Sequence, residues 1–152
     1  MHFYIYQTAI GVLTLCEEKG CITAISTNYR PETGEEKETE TIRRAHTQIT
    51  EYLEGKRKIF DLPLATTGTE FQKRVWKALS EIPYGETRTY GEIAAAIGNP
   101  KAARAVGMAN HRNPLMIVVP CHRVIGSNGK MTGYASGLDT KEFLLKLERK
   151  MA

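Results

Sequence analysis

With 152 residues, 41% of them hydrophobic and 25% charged, the chain suits one large or two small soluble domains and can bury a real core. No apolar run approaches the roughly eighteen residues that would span a bilayer, and Met1-His2-Phe3-Tyr4 lacks the basic start and apolar core of a secretory leader. A membrane or secreted protein is therefore disfavoured, and a cytoplasmic location (nuclear in a eukaryote) is expected. Three cysteines argue against a disulfide framework. The net charge of +4 is uneven: residues 1–63 hold 8 Lys and Arg against 10 Asp and Glu, and residues 64–152 hold 13 against 7. A basic excess confined to the second part suits a polyanionic partner there, although a scattered basic surface gives the same count.

Residues 2–27 read as β structure. Aromatic and β-branched runs (Phe3–Tyr6, Val12–Cys16, Cys21–Thr27) alternate with turns at Gly11 and Lys19-Gly20, predicting a small antiparallel sheet. Cys16 and Cys21 flank that second turn and read as small apolar residues; no second pair at metal-ligand spacing accompanies them. Asn28–Glu38 is polar, carries Pro31 and Gly34, and reads as an exposed loop. Ile42, Ala45, Ile49, Tyr52 and Leu53 then recur at helical spacing up to Gly55, with His46 expected on the surface. Lys56-Arg57-Lys58 reads as a solvated link, and Ile59–Thr67 as the passage into a second domain. The expected division is 1–63 and 64–152.

Thr69-Glu70-Phe71-Gln72 has capping-box form and opens an amphipathic helix ending before Pro83-Tyr84-Gly85, with Trp76 expected in the core. Thr89-Tyr90-Gly91-Glu92 repeats the form and opens a short helix to Ile97. Gly98-Asn99-Pro100 breaks it, and Lys101–Asn110 predicts a second short helix, so the pair reads as a helix-turn-helix. Ala102, Ala103, Ala105, Gly107 and Ala109 leave that second helix nearly bare around Arg104, with mainly Arg104 and Asn110 as long polar side chains for base contacts. A bare helix fits close, sequence-independent approach to a groove.

Ile117–Ile125 reads as a core strand broken by Pro120-Cys121-His122-Arg123. A buried strand gains nothing from a proline or from two polar side chains. A thiol with an imidazole beside it suits nucleophilic chemistry, because the thiolate is the reactive form and needs a proton acceptor. On a regular strand, adjacent Cys121 and His122 would face apart. Either Pro120 bends the chain or a water carries the proton between them. Gly126-Ser127-Asn128-Gly129 marks a turn. The last helix runs from Leu138 through Glu148, with Asp139 and Glu142 in a capping pattern and leucines on the buried face. Spacing alone makes Glu148 a solvated carboxylate at the edge of that face.

Asn113-Pro114, Pro120-Cys121-His122-Arg123-Val124-Ile125, Gly133-Tyr134 and Leu138 with Lys141-Glu142 and Leu144-Leu145 together resemble the signature of the methylated-DNA-protein-cysteine methyltransferases, the O6-alkylguanine-DNA alkyltransferases. The spaced residue types run over a long stretch, and Phe71–Trp76 and Ile82–Gly85 resemble the opening of the family's second domain. The resemblance implies an α+β protein: a small N-terminal antiparallel sheet with a helix (ribonuclease H-like), then a mainly helical winged helix-turn-helix domain. It implies a monomer that binds double-stranded DNA containing alkylated guanine and moves the alkyl group irreversibly to Cys121, once per molecule, with no metal or organic cofactor. His122 would deprotonate Cys121 through water, held by Glu148, and Asn113 would organise the site. Tyr90 would help turn the nucleotide out, Arg104 would fill the gap, and Val124, Tyr134 and Ala135 would line the base pocket. O4-alkylthymine is a further expected substrate. The competing readings are a non-catalytic alkyl-lesion or winged-helix DNA-binding protein, and a Cys-His hydrolase.

Overall fold

The computed structural model describes residues 1–152 in two compact units, Met1–Thr67 and Gly68–Ala152. In the first, β1 (His2–Thr8), β2 (Gly11–Glu18) and β3 (Cys21–Thr27) form an antiparallel meander. Lys19 and Gly20, between β2 and β3, both have positive φ (53° and 81°), the two-residue turn whose twist matches that of paired strands. The sheet is not wholly antiparallel. Within the segment expected to be an exposed loop, β4 (Glu35–Glu36) pairs parallel with β1, giving the order β3-β2-β1-β4. Two backbone bonds, Glu35 N–H to Met1 O at 3.0 Å and Lys37 N–H to Phe3 O at 2.9 Å, satisfy an edge of β1 that would otherwise be open.

Helix α1 (Glu40–Leu53) is capped by Thr39, whose side chain accepts from Ile42 N–H, and it lays Ile42, Ala45, Ile49 and Tyr52 over the sheet residues Phe3, Leu13, Leu15, Ile22 and Ile25. Gln48 is buried too. Its amide donates to Asp61 O (3.0 Å) and accepts from Asp61 N–H (2.9 Å), which fastens the chain after the helix. His46 is not a plain surface residue: its ring stacks on Tyr6 at 3.7 Å between centroids and reaches Thr50. Cys16 is buried, Cys21 half-buried, and all three cysteines are free thiols.

The second unit holds α2 (Glu70–Ser80), β5 (Arg88–Thr89), α3 (Tyr90–Ala96), α4 (Ala103–His111), a 3₁₀ turn at Cys121–Arg123, β6 (Val124–Ile125) and α5 (Leu138–Met151). Both expected capping boxes form, Thr69 with Gln72 and Thr89 with Glu92. That expected for Asp139 and Glu142 does not: Gly137 (φ 96°) is the residue before α5, so Asp139 falls inside the first turn and no side-chain cap forms. Trp76 is core, and its Nε1–H donates to Ala109 O at 2.8 Å, tying α2 to α4. Strands β5 and β6 pair in parallel, Thr89 beside Ile125, so Tyr90 starts α3 next to the segment that follows Cys121.

Ile117–Ile125 departs most from expectation. Only Val124 and Ile125 are strand, and the rest is a succession of tight turns. Pro120 (φ −81°, ψ 66°) centres a three-residue turn closed by Cys121 N–H to Val119 O at 2.8 Å, the inverse γ conformation that its ring preorganises. Another closes around Ile117, Val118 N–H to Met116 O at 2.8 Å, with Ile117 at φ 73°. That region is strained for a β-branched residue.

Thr89→Ala removes the cap that starts α3 and is expected to cost about 1 kcal/mol in urea denaturation, with Thr89→Asn recovering most of it.

Candidate active site

Cys121, His122 and Arg123 share one 3₁₀ turn and are all buried. Successive side chains on such a turn diverge by about 120°, and here they enter different surroundings. The Asn113 side chain, the Tyr134 hydroxyl and the Lys141 ammonium lie near the Cys121 sulfur and favour its anion. His122 Nε2 lies 2.7 Å from Glu148 Oε2. Arg123 grips the same carboxylate with a fork, Nε to Oε1 at 2.8 Å and Nη2 to Oε2 at 2.9 Å, and sends Nη1 to Ile82 O at 2.7 Å. Glu148 also accepts from Gly85 N–H at 3.2 Å, and the Tyr84 ring faces the guanidinium at 5.7 Å. Gly85 holds φ 83°, and a Cβ there would stand 2.8 Å from that of Ala152, so the Ile82–Gly85 turn closes around the ion pair only with glycine.

Two asparagines fix the backbone around the thiol. Asn113 Nδ2 donates to Val119 O at 2.8 Å, and its Oδ1 accepts from Leu115 N–H at 3.0 Å. Asn110, expected to face outward for base contacts, is buried instead, with Nδ2 on Cys121 O at 3.3 Å. Its position beside Val106 and Ala109 puts it on the inner face of α4.

Burial dominates both titrations. It pushes the Cys121 thiol up, against the lowering effects of Asn113, Tyr134 and Lys141. It pushes the His122 imidazole below its ordinary value despite the Glu148 carboxylate, with the Arg123 and Lys141 charges adding to the fall. The resting pair is thus thiol and neutral imidazole. One carboxylate already faces one guanidinium, so a proton on His122 would leave a net buried charge.

Residues 1–66 match a family model described as the ribonuclease-like domain of 6-O-methylguanine DNA methyltransferase, and residues 70–150 match its DNA binding domain. The chain belongs to the 6-O-methylguanine DNA methyltransferase family. A relative in Methanosarcina acetivorans, a methylated-DNA-protein-cysteine methyltransferase, is 57% identical over 156 residues, covering 97% of this chain and 98% of its own. The constitutive one of Bacillus subtilis is 49% identical, with 94% and 92% covered. Among solved structures, Mycobacterium tuberculosis OGT in complex with DNA superposes with a TM-score of 0.93 at 46% identity, covering 100% of this chain and 95% of that one.

Of the residues that the family resemblance singled out, Cys121, His122, Glu148, Asn113, Tyr134 and Val124 are gathered around the 3₁₀ turn. Tyr90 stands off them and meets the loop before Tyr134: its hydroxyl donates to Thr132 O (3.4 Å) and accepts from Thr132 Oγ1 (3.1 Å). Arg104 is exposed on α4, and Ala135 is exposed just after Tyr134.

Sequence reasoning missed one functional group. Lys141 is fully buried, with Nζ donating to Val124 O at 2.5 Å and Thr132 O at 3.0 Å. Its own pKa is lowered by burial, while Cys121 raises it. The signal lay in spacing, since Lys141, Leu144, Leu145 and Glu148 fall at i, i+3, i+4 and i+7 of one helix face. Arg123, singled out in sequence as part of the Pro120-Cys121-His122-Arg123 interruption, is a partner of Glu148.

Glu148→Ala strands the buried Arg123 charge and is expected to lose about 3–5 kcal/mol of stability in urea titration. Lys141→Met takes a cation from beside the sulfur, so the midpoint of the Cys121 alkylation rate against pH, followed with iodoacetamide, is expected to move to higher pH.

Proposed function

We propose that this chain is a DNA repair protein that moves the alkyl group of O6-alkylguanine in duplex DNA onto its own Cys121, once per molecule. The observation that carries this reading is the buried Cys121 thiol beside a neutral His122 whose Nε2 is committed to Glu148. With Nε2–H donating to the carboxylate, Nδ1 is the nitrogen with the lone pair, and it takes the Cys121 proton through a water. Asn113, Tyr134 and Lys141 then stabilise the thiolate. The sulfur attacks the alkyl carbon in line. The S–C bond forms as the C–O6 bond breaks, its electron pair leaves with guanine, and a proton returns to the departing base. A thioether has no ready hydrolytic exit, so the reaction is stoichiometric.

Reaching O6 requires the nucleotide to leave the stack. In this reading α4 lies on the duplex, Arg104 fills the gap, and Tyr90 helps turn the nucleotide. The base enters beside Tyr134 and the Val124 carbonyl, with Ala135 N–H towards O6. Lys141 holds the Val124 and Thr132 carbonyls, which supports a preformed pocket wall. O4-alkylthymine offers an alkyl ether of the same kind and is assigned to the same pocket.

Incubation with a duplex containing O6-methylguanine, followed by peptide mass analysis, is expected to add one methyl to the peptide holding Cys121 and none in Cys121→Ala. Binding of the duplex without mass gain would instead support a non-catalytic lesion-binding protein. Because the folded His122 pKa lies below its ordinary value near 6.5, the base stays competent as pH falls to that value. Stability conferred by the neutral imidazole is present above about pH 6.5 and is lost as pH falls toward the lowered folded pKa, since the unfolded chain takes the proton first. The single-turnover rate is therefore expected to hold down to about pH 6.5 and to decline only below it.

A further inference from the structure

The outward face of α4 is not uniformly bare. Val106, Ala109 and Asn110 turn inward, and Met108 lies opposite them, 58% exposed. It is the one large apolar side chain left exposed on α2, α3 or α4. Arg104 lies one turn before it and His111 and Arg112 about one turn after, all exposed, while exposed Ala105 and half-buried Gly107 beside it add no bulk. Neither Arg104 nor Arg112 forms an ion pair, and neither does the exposed Lys101 ahead of the helix. The face is an apolar centre between unpaired cations. Unpaired cations fit phosphates, and methionine is among the apolar side chains that groove-binding proteins press against sugars and base steps.

We propose that Met108 is a direct duplex contact, seated in the groove between Arg104, which enters the gap, and Arg112, which takes a phosphate, and that it supplies a part of the affinity that salt does not screen. The inference rests on the reading of α4 as the duplex-binding helix and adds a residue whose contribution differs in kind from the arginines. Burying a thioether releases no counterions, whereas each phosphate contact releases about one. Its bulk also limits how closely the backbone of α4 can approach the groove floor, so the fit rests on this side chain rather than on bare helix.

The test is fluorescence anisotropy of the full chain with a labelled duplex across a salt series, together with the thermal unfolding midpoint. Met108→Ala is expected to weaken binding by about tenfold at every salt concentration, with the slope of log affinity on log salt unchanged and the midpoint unmoved. Met108→Leu keeps apolar volume and is expected to bind within about twofold of the parent, and Met108→Gln to behave like the alanine variant. Arg112→Ala is expected to reduce the slope by about one. Met108→Ala binding equal to the parent would overturn the proposal and leave the repair function standing, as would Met108→Gln matching Met108→Leu. Failure of the parent itself to bind duplex would remove the functional reading and this inference with it.

Discussion

A single buried carboxylate organises the C-terminal unit. Glu148 would be untenable alone in the interior, where an unpaired charge is strongly penalised. The Arg123 fork, the His122 imidazole and the Gly85 amide stabilise it, and each ties down a different piece of chain. Arg123 reaches on to Ile82, so the end of α2, the 3₁₀ turn and the last turns of α5 are fixed against one another through one side chain. A buried ion pair adds little net stability compared with apolar packing. Its value here is positional and electrostatic: it aims His122 and cancels the one negative charge that would otherwise favour an imidazolium.

Helix α5 carries a second charge on the same face. Lys141 and Glu148, two turns apart, address opposite sides of the turn that holds the nucleophile. The lysine holds the Val124 and Thr132 carbonyls near the sulfur, and the glutamate holds the imidazole. Burial keeps both Cys121 and His122 uncharged at rest, so ionisation is tied to the moment when the proton is passed and the thiolate finds its donors. The result is a thiol shielded from general reaction but surrounded by groups that stabilise its anion.

Much of this was legible from residue patterns. Helix periods, the two capping boxes and the Lys19-Gly20 turn depend on local rules, and the structure follows them. Arg104 and Met108 show the limit of such rules: bareness of α4 was readable from its alanines, but which side chains faced out depended on how the helix docks, so Asn110 was placed on the wrong face and Met108 passed over. The Cys121 segment misled for a different reason. Its β-branched residues favour a strand, yet the strained Ile117 and the γ-turn at Pro120 accompany side-chain bonds from Asn113 and Asn110 to the Val119 and Cys121 carbonyls, which strand propensity does not register. Glu148 read as solvated because no spacing rule foresees a partner far away in sequence. Lys141 and Glu148 sharing a face with leucines was the available clue, since buried positions of opposite charge on one helix imply partners on another element.

The chemistry depends on His122 being a neutral base whose Nε2–H is committed to Glu148. Nitrogen-edited NMR of the imidazole in the resting protein measures this directly. At neutral pH it should show one protonated nitrogen, Nε2, and one unprotonated, Nδ1, and that pattern should persist as pH is lowered past 6.5, the ordinary imidazole value. An imidazole protonated on both nitrogens at neutral pH would contradict it, because the group assigned to take the thiol proton would already carry one.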